Sequence, residues 1–235
     1  MIKPESTVDS TEQGEPSQAS SVSRRKFLRY AGLSGGLVAA AAACSKSKND
    51  NGFNSGAYMG SGDIGILNYA YALEQLEAAF YTQVALTPYS GITALETALL
   101  TDIRDHEIAH REFFKKALGN SALPSLEVNF SSVTFGSRDS VLATAKTFED
   151  LGVSAYNGAG RLIVNSDYLE LAGKIVSVEA RHAAYIRDLI SNGSFADSSV
   201  VDASGLDKSR KPIEVLTMAK PFIKTALNAS DLPSY

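Results

Sequence analysis

The chain has 235 residues, of which 44% are hydrophobic and 20% charged, and a net charge of −4. This mild acidic balance, with no run of five or more like charges, gives no electrostatic footprint for nucleic acid. A single cysteine, Cys44, excludes an intrachain disulfide, so a folded domain must rely on its core, on a metal, or on both.

Residues 1–22 are rich in Ser, Glu, Gln and Thr and too poor in apolar side chains to offset the entropy of ordering, so no fold is expected there. Ser23-Arg24-Arg25-Lys26-Phe27-Leu28-Arg29 comes next, then a weakly apolar run over 30–43. At about fourteen residues that run is too short to span a membrane and suits the apolar core of an export signal. The pattern resembles a twin-arginine export signal, with Arg24 and Arg25 as the paired arginines and Arg29 where Lys is usual. It ends in Ala41-Ala42-Ala43-Cys44, which is similar to a lipoprotein cleavage box, although such boxes favour Leu where Ala41 stands. The expectation is a chain exported by the twin-arginine route to the cell envelope or periplasm and held on a membrane by acylated Cys44. Ordinary cleavage after Ala43 is the alternative. The resemblance also implies export in the folded state, so that a metal site could be filled beforehand. Residues 45–62 read as a flexible tether, 63–228 as one domain and 229–235 as a tail.

Within the domain the first predicted helix is capped by Asp63 and covers about 63–86, with apolar residues at near-helical spacing all round. A second covers about 93–118, with Gly119 in the stop position. Residues 120–137, polar and β-branched with Pro124, read as a long crossover. A third helix starts near Asp139 or Ser140 and runs to about Leu162. Asn165-Ser166 caps a fourth that reaches Ser191. A last amphipathic segment over 212–227, interrupted by Pro221, is expected to pack across the outside. Four long helices and almost no strand pattern make an all-α four-helix bundle, with a crossover between helices two and three and an extra C-terminal helical segment.

An internal repeat runs through it. Helix one has Glu74 with Tyr81 seven residues on, and helix two has Glu107-Ile108-Ala109-His110. Helix three has Glu149 with Tyr156 seven residues on, and helix four has Glu179-Ala180-Arg181-His182. These steps hold two of the chain's three histidines. One Glu-x-x-His arises easily by chance; two, each preceded by Glu-x6-Tyr, do not. Glu74 lies about 12 residues, or roughly 18 Å, before its helix ends, and Glu107 about 13, or roughly 20 Å, after the next begins. In an antiparallel hairpin the two therefore arrive at one level. The same holds for Glu149 and Glu179, and each histidine shares its glutamate's face. Four carboxylates and two imidazoles meet inside the bundle.

Buried glutamates without counter-charge would be costly or would take up protons. Two divalent cations neutralise four carboxylates, and this oxygen and imidazole donor set suits iron or manganese rather than copper(I) or structural zinc. The stretch Ile66-Leu67-Asn68-Tyr69-Ala70-Tyr71-Ala72-Leu73-Glu74-Gln75-Leu76-Glu77-Ala78-Ala79-Phe80-Tyr81 resembles the desiccation-related branch of the ferritin-like superfamily. So do Asp105-His106-Glu107-Ile108-Ala109-His110 and Pro212-Ile213-Glu214-Val215-Leu216, and the similarity covers roughly 63–190. The resemblance implies that Glu107 and Glu179 bridge two metals. It makes Glu74 with His110, and Glu149 with His182, terminal ligands on one metal each, with Tyr81 and Tyr156 hydrogen-bonding around them. The leading expectation for the function is a dimetal oxidoreductase, ferroxidase-like or manganese-catalase-like, that meets a small oxidant in stress protection. A non-enzymatic, desiccation-protective envelope protein is the other reading.

Some neighbours have plainer readings. Glu77, one turn from Glu74, competes with it as the helix-one ligand, and the Glu-x6-Tyr match favours Glu74. His106 could suggest a separate His-x3-His site with His110; its repeat counterpart is Val178, so a supporting role is expected. Arg181 is expected to point outward, and Lys208, Arg210 and Lys211 to form a solvated loop.

Overall fold

A computed structural model describes residues 52–235; the export-signal arginines Arg24 and Arg25, the lipidation candidate Cys44 and residues 45–51 of the tether lie outside the described residues. The core is four long helices, α1 (Gly62–Leu86), α2 (Ala94–Leu118), α3 (Arg138–Gly160) and α4 (Ser166–Ile190), followed by the short α5 (Pro212–Ala219). Helices α1 and α2 form one hairpin and α3 and α4 the other, joined by the crossover, as the sequence predicts.

The helix starts follow local chemistry. Thr93 opens α2 with a capping box, accepting from the Glu96 amide while Glu96 accepts from the Thr93 amide. Ser137 accepts from the Ser140 amide at the start of α3, and Asn165 from the Asp167 and Tyr168 amides at the start of α4. Gly119, at φ 55°, closes α2.

Helix α1 is buried on almost every side, because non-helical chain covers what the other helices leave open. The Asn68 amide group donates to the Met59 and Ser121 carbonyls and its oxygen accepts from the Leu123 amide. Gln75 likewise accepts from the Leu126 amide and donates to the Pro124 carbonyl, so the crossover lies along α1. Phe130 and Phe135 of the crossover pack on Phe80, and Phe222 packs edge-on against Phe148 of α3.

Five features differ from the sequence expectation. Asp63 does not cap α1: its carboxylate reaches across to accept from the Val164 and Asn165 amides, tying α1 to the turn before α4. Helix α3 ends at Gly160, not Leu162. The C-terminal helix stops at Ala219, because Pro221 falls in a 3-10 turn (Lys220–Phe222). The described part of the expected tether is folded, with Phe53 and Met59 buried and strand β1 (Ala57–Tyr58) paired in parallel with β2 (Leu227–Asn228). The expected tail is packed too: the Ala229 amide donates to the Phe53 carbonyl and the Tyr58 hydroxyl to Asp231.

Candidate metal centre

All six predicted side chains reach one level of the bundle interior. Glu74, Glu107, Glu149 and Glu179 are fully buried, His182 nearly so, and His110 is partly exposed. They fall into two groups, Glu74, Glu107, His110 and Glu179, and Glu107, Glu149, Glu179 and His182, each offering ligand atoms within 4.8 Å of one another. Glu107 and Glu179 belong to both.

The distances follow the internal repeat. His110 Nδ1 lies 2.9 Å from Glu179 Oε1, 3.5 Å from Glu74 Oε2 and 3.7 Å from Glu107 Oε2. His182 Nδ1 lies 2.8 Å from Glu107 Oε1, 3.5 Å from Glu149 Oε2 and 3.9 Å from Glu179 Oε2. Each histidine thus turns its Nδ1 toward the glutamate of the opposite Glu-x-x-His step. The tyrosines cross over as well. Tyr81 of the first half donates to Glu149 Oε1 of the second at 2.5 Å, and Tyr156 of the second donates to Glu74 Oε1 of the first. Seven residues is two helical turns, which places each tyrosine beside the other hairpin's glutamate.

Eight atoms of this set have no aligned hydrogen-bond partner: Glu74 Oε2, both oxygens of Glu107 and of Glu179, Glu149 Oε2, and Nδ1 of both histidines. Buried polar atoms are rarely left so, and here they gather in one place, carry lone pairs and are all oxygen or imidazole nitrogen. That is a donor set for hard or borderline divalent cations. The residues fit a metal site.

Without metal, protons must balance the charge. Burial would lower the His110 pKa, but Glu107, Glu179 and Glu74 outweigh it and push it up to about 12. Burial is likewise outweighed at His182 by Glu107 and Glu149, which bring it to about 10. Burial works upward on Glu107, yet the two histidines hold it down at about 2. Glu74 rises to about 7, through burial and the Glu107 charge, against the pull of His110 and Tyr156. Burial raises Glu149, and raises Glu179 further with Glu107 and Glu74 adding to it.

Three neighbours complete the picture. His106 is exposed and places Nδ1 2.9 Å from His182 Nε2, with the two rings stacked 5.2 Å apart, so it holds the outer nitrogen of that imidazole and makes no separate site with His110. Arg181 is exposed, bonded to Ser177 of its own helix. Glu77 falls in neither donor group, but it is 3% exposed, and burial with the charges of Glu179, Glu107, Glu149 and Glu74 raises its carboxyl far above the usual range. Sequence reasoning treated it only as a rival to Glu74. The pattern that could have found it is Glu74-x-x-Glu77, the same three-residue step that pairs each glutamate with its histidine.

No curated protein matches the chain at a significant level. The model of the ferritin-like domain matches residues 62–192, from the start of α1 to just past the end of α4, which takes in every residue of the centre. Because that match covers more than half of the sequence, the chain belongs to the ferritin-like domain family.

Proposed function

We propose that this protein holds two divalent ions, iron or manganese, between Glu74, Glu107, His110, Glu149, Glu179 and His182, and uses them to handle iron, oxygen or peroxide in the cell envelope. The eight buried, lone-pair-bearing atoms left without partners carry this reading. Glu107 and Glu179 would serve both ions, since both groups include them, and Glu74 with His110 and Glu149 with His182 would serve one each. When bound, such a pair supplies two one-electron changes side by side, suited to oxidising Fe(II) or to reacting with O2 or H2O2.

The chain's own residues prepare that chemistry. Tyr81 and Tyr156 each hold one carboxylate oxygen, leaving the other free to face the centre. Burial and the neighbouring carboxylates raise both phenols well above their usual range, so they stay protonated as donors. His106 bonds the outer nitrogen of His182 and leaves its Nδ1 facing the carboxylates. Leu73, Phe80, Phe148 and Ile175, on the same four helices as the set, are themselves buried. Tyr156 also walls a cavity of about 20 Å³ with Ala70, Leu73, Phe114 and Ile175; its lining is almost wholly apolar, which suits a small uncharged oxidant.

Metal analysis of the purified protein tests the reading. The expected result is two ions per chain in wild type and loss of stoichiometric loading in Glu107→Ala; two ions held with unchanged affinity by that variant would refute the ligand set. Location in the envelope rests on the resemblance of Arg24, Arg25 and Cys44 to an export and lipidation signal. Among the described residues no helix is long and apolar enough to cross a membrane. Replacing Arg24 and Arg25 by Lys should trap the protein in the cytoplasm, and Cys44→Ala should free it from membranes; a wild-type mature chain recovered unlipidated in the soluble fraction would reject the anchor.

A further inference from the structure

The glutamates, histidines and tyrosines of the two halves match position for position, but the residue one turn beyond the first glutamate does not. In the first half Glu77 follows Glu74 by three residues; in the second, the residue three after Glu149 is Gly152. The difference is spatial as well as sequential. A Cβ added at Gly152 would lie 3.2 Å from Glu77 Oε1 and 3.6 Å from Glu179 Oε2. The carboxylate of Glu77 therefore extends from α1 into the room left by the missing side chain of its own counterpart on α3, next to a glutamate shared by both donor groups. Any side chain at 152 would crowd it. Helix α3 bears the cost of a glycine in its interior, about 1 kcal/mol relative to alanine, at a position where φ is ordinary and no turn requires one.

A buried carboxylate needs a partner to justify its place. Glu77 faces no Lys, Arg or His among the groups that dominate its surroundings, all four of which are glutamates of the centre. The positive charge nearest in kind is the one the centre is built to receive. We propose that Glu77 is a fifth carboxylate of the metal pair, coordinating from the Gly152 side beside Glu179. Six ligands from four glutamates and two histidines leave open positions on two ions; Glu77 fills one of them and narrows the approach of small anions to the rest. The first and second halves of the centre are then unequal despite their shared pattern.

This assignment rests on the dimetal reading, and the experiment separates the two. Wild type, Glu77→Gln and Glu77→Asp are loaded with Fe or Mn, metal per chain is measured, and azide is titrated while the absorption or EPR spectrum of the pair is followed. Glu77→Gln keeps the size of the side chain and removes its charge; Glu77→Asp keeps the charge and withdraws the carboxylate by one methylene. Two ions per chain are expected in all three proteins. Azide should bind both variants more tightly than wild type by about tenfold or more, the order expected when a competing buried anionic ligand is lost. Loss of one ion from Glu77→Gln would also support coordination. If azide binds Glu77→Gln as weakly as wild type, or if Glu77→Asp behaves as wild type, coordination by Glu77 is overturned while the six-residue pair stands. A wild-type protein that takes up no metal would overturn both.

Discussion

Glu149 and Asp150 are neighbours in α3, yet they serve two charge clusters of opposite design, each with buried charge. Asp150 meets Arg187, which is 2% exposed and spends every guanidinium N–H on the protein. Its Nε and Nη2 bond the two oxygens of Asp150 at 2.8 and 3.1 Å; Nη1 bonds Asp197 and the Ser194 carbonyl, and Nη2 also bonds Ser199. Five donors find five acceptors. Glu149, one residue earlier, looks into a cluster where eight atoms find none. Burial of charge is common to both, so burial alone does not mark a site. What differs is whether the chain satisfies the group itself: a structural charge is saturated by protein, and a ligand is left wanting.

That contrast can be broken at either end. The largest effect of a substitution should come from Arg187→Ala, which leaves Asp150 without its partner and releases the 194–199 loop from α4. The loss should be about 2 kcal/mol in urea unfolding, since a buried guanidinium gives up its hydrogen bonds and packing, while the carboxylates left behind keep some water. The loss should be the same with and without Mn(II). A metal-dependent loss would show that the two clusters are not independent.

Metal should act only on the other cluster, and its effect should grow with pH. Binding to the native state alone adds roughly 2.7 kcal/mol at a hundredfold excess over the dissociation constant. In the metal-free protein the raised imidazoles of His110 and His182 contribute stability that is complete below their ordinary value. That stability is lost as pH rises through about 10 and about 12. Glu74 acts in the same direction: its raised carboxyl contributes below the usual carboxylate range and ceases to do so as pH passes about 7. Glu107 opposes them only in strong acid, its contribution being lost as pH falls through about 2. Mn(II) competes with those protons, so the rise in melting temperature on adding it should be larger on the alkaline side of neutrality than on the acid side. An equal rise on both sides would show that no proton leaves when metal enters.

The smallest effect should follow Tyr81→Phe, which leaves Glu149 Oε1 without its donor. A loss of about 1 kcal/mol in stability is expected, with metal affinity weakened by roughly tenfold and two ions still bound. Calorimetry of Mn(II) binding to the variant measures both.

The sequence showed the bundle and the meeting of six side chains inside it because the information is periodic: two hairpins, each with Glu-x6-Tyr then Glu-x-x-His, fix helix, face and level together. What stayed hidden has no period. Asp63 looks like a cap and instead joins α1 to the amides of Val164 and Asn165, a contact across the fold that no local pattern announces. Arg187 carries no signal in its own helix, and its partners Asp197 and Ser199 come from a loop with no motif. Residues 52–61 have the composition of a linker, yet Phe53 and Met59 are buried, because two residues of parallel pairing are too short to leave an alternation. Glu77 was visible as a residue, but its depth depends on Gly152 in another helix.

The pairing of β1 with β2 has a mechanical consequence. Chain enters the described fold at residue 52 and is at once fastened to the last segment: Phe53 accepts from the Ala229 amide, Ala57 donates to Ala226, and Met59 donates to Asn228. Tension drawn along the chain from its N-terminal side would reach this clasp before it reached Gly62 and the first turn of α1. With the strands parallel, a pull along β1 loads those bonds in shear, several at once, and passes the force to the C-terminal segment packed on α3. Glu74 lies beyond the clasp. A protein tugged by whatever precedes residue 52 would give way first at the clasp, and the buried carboxylates on α1 would keep their level while it did.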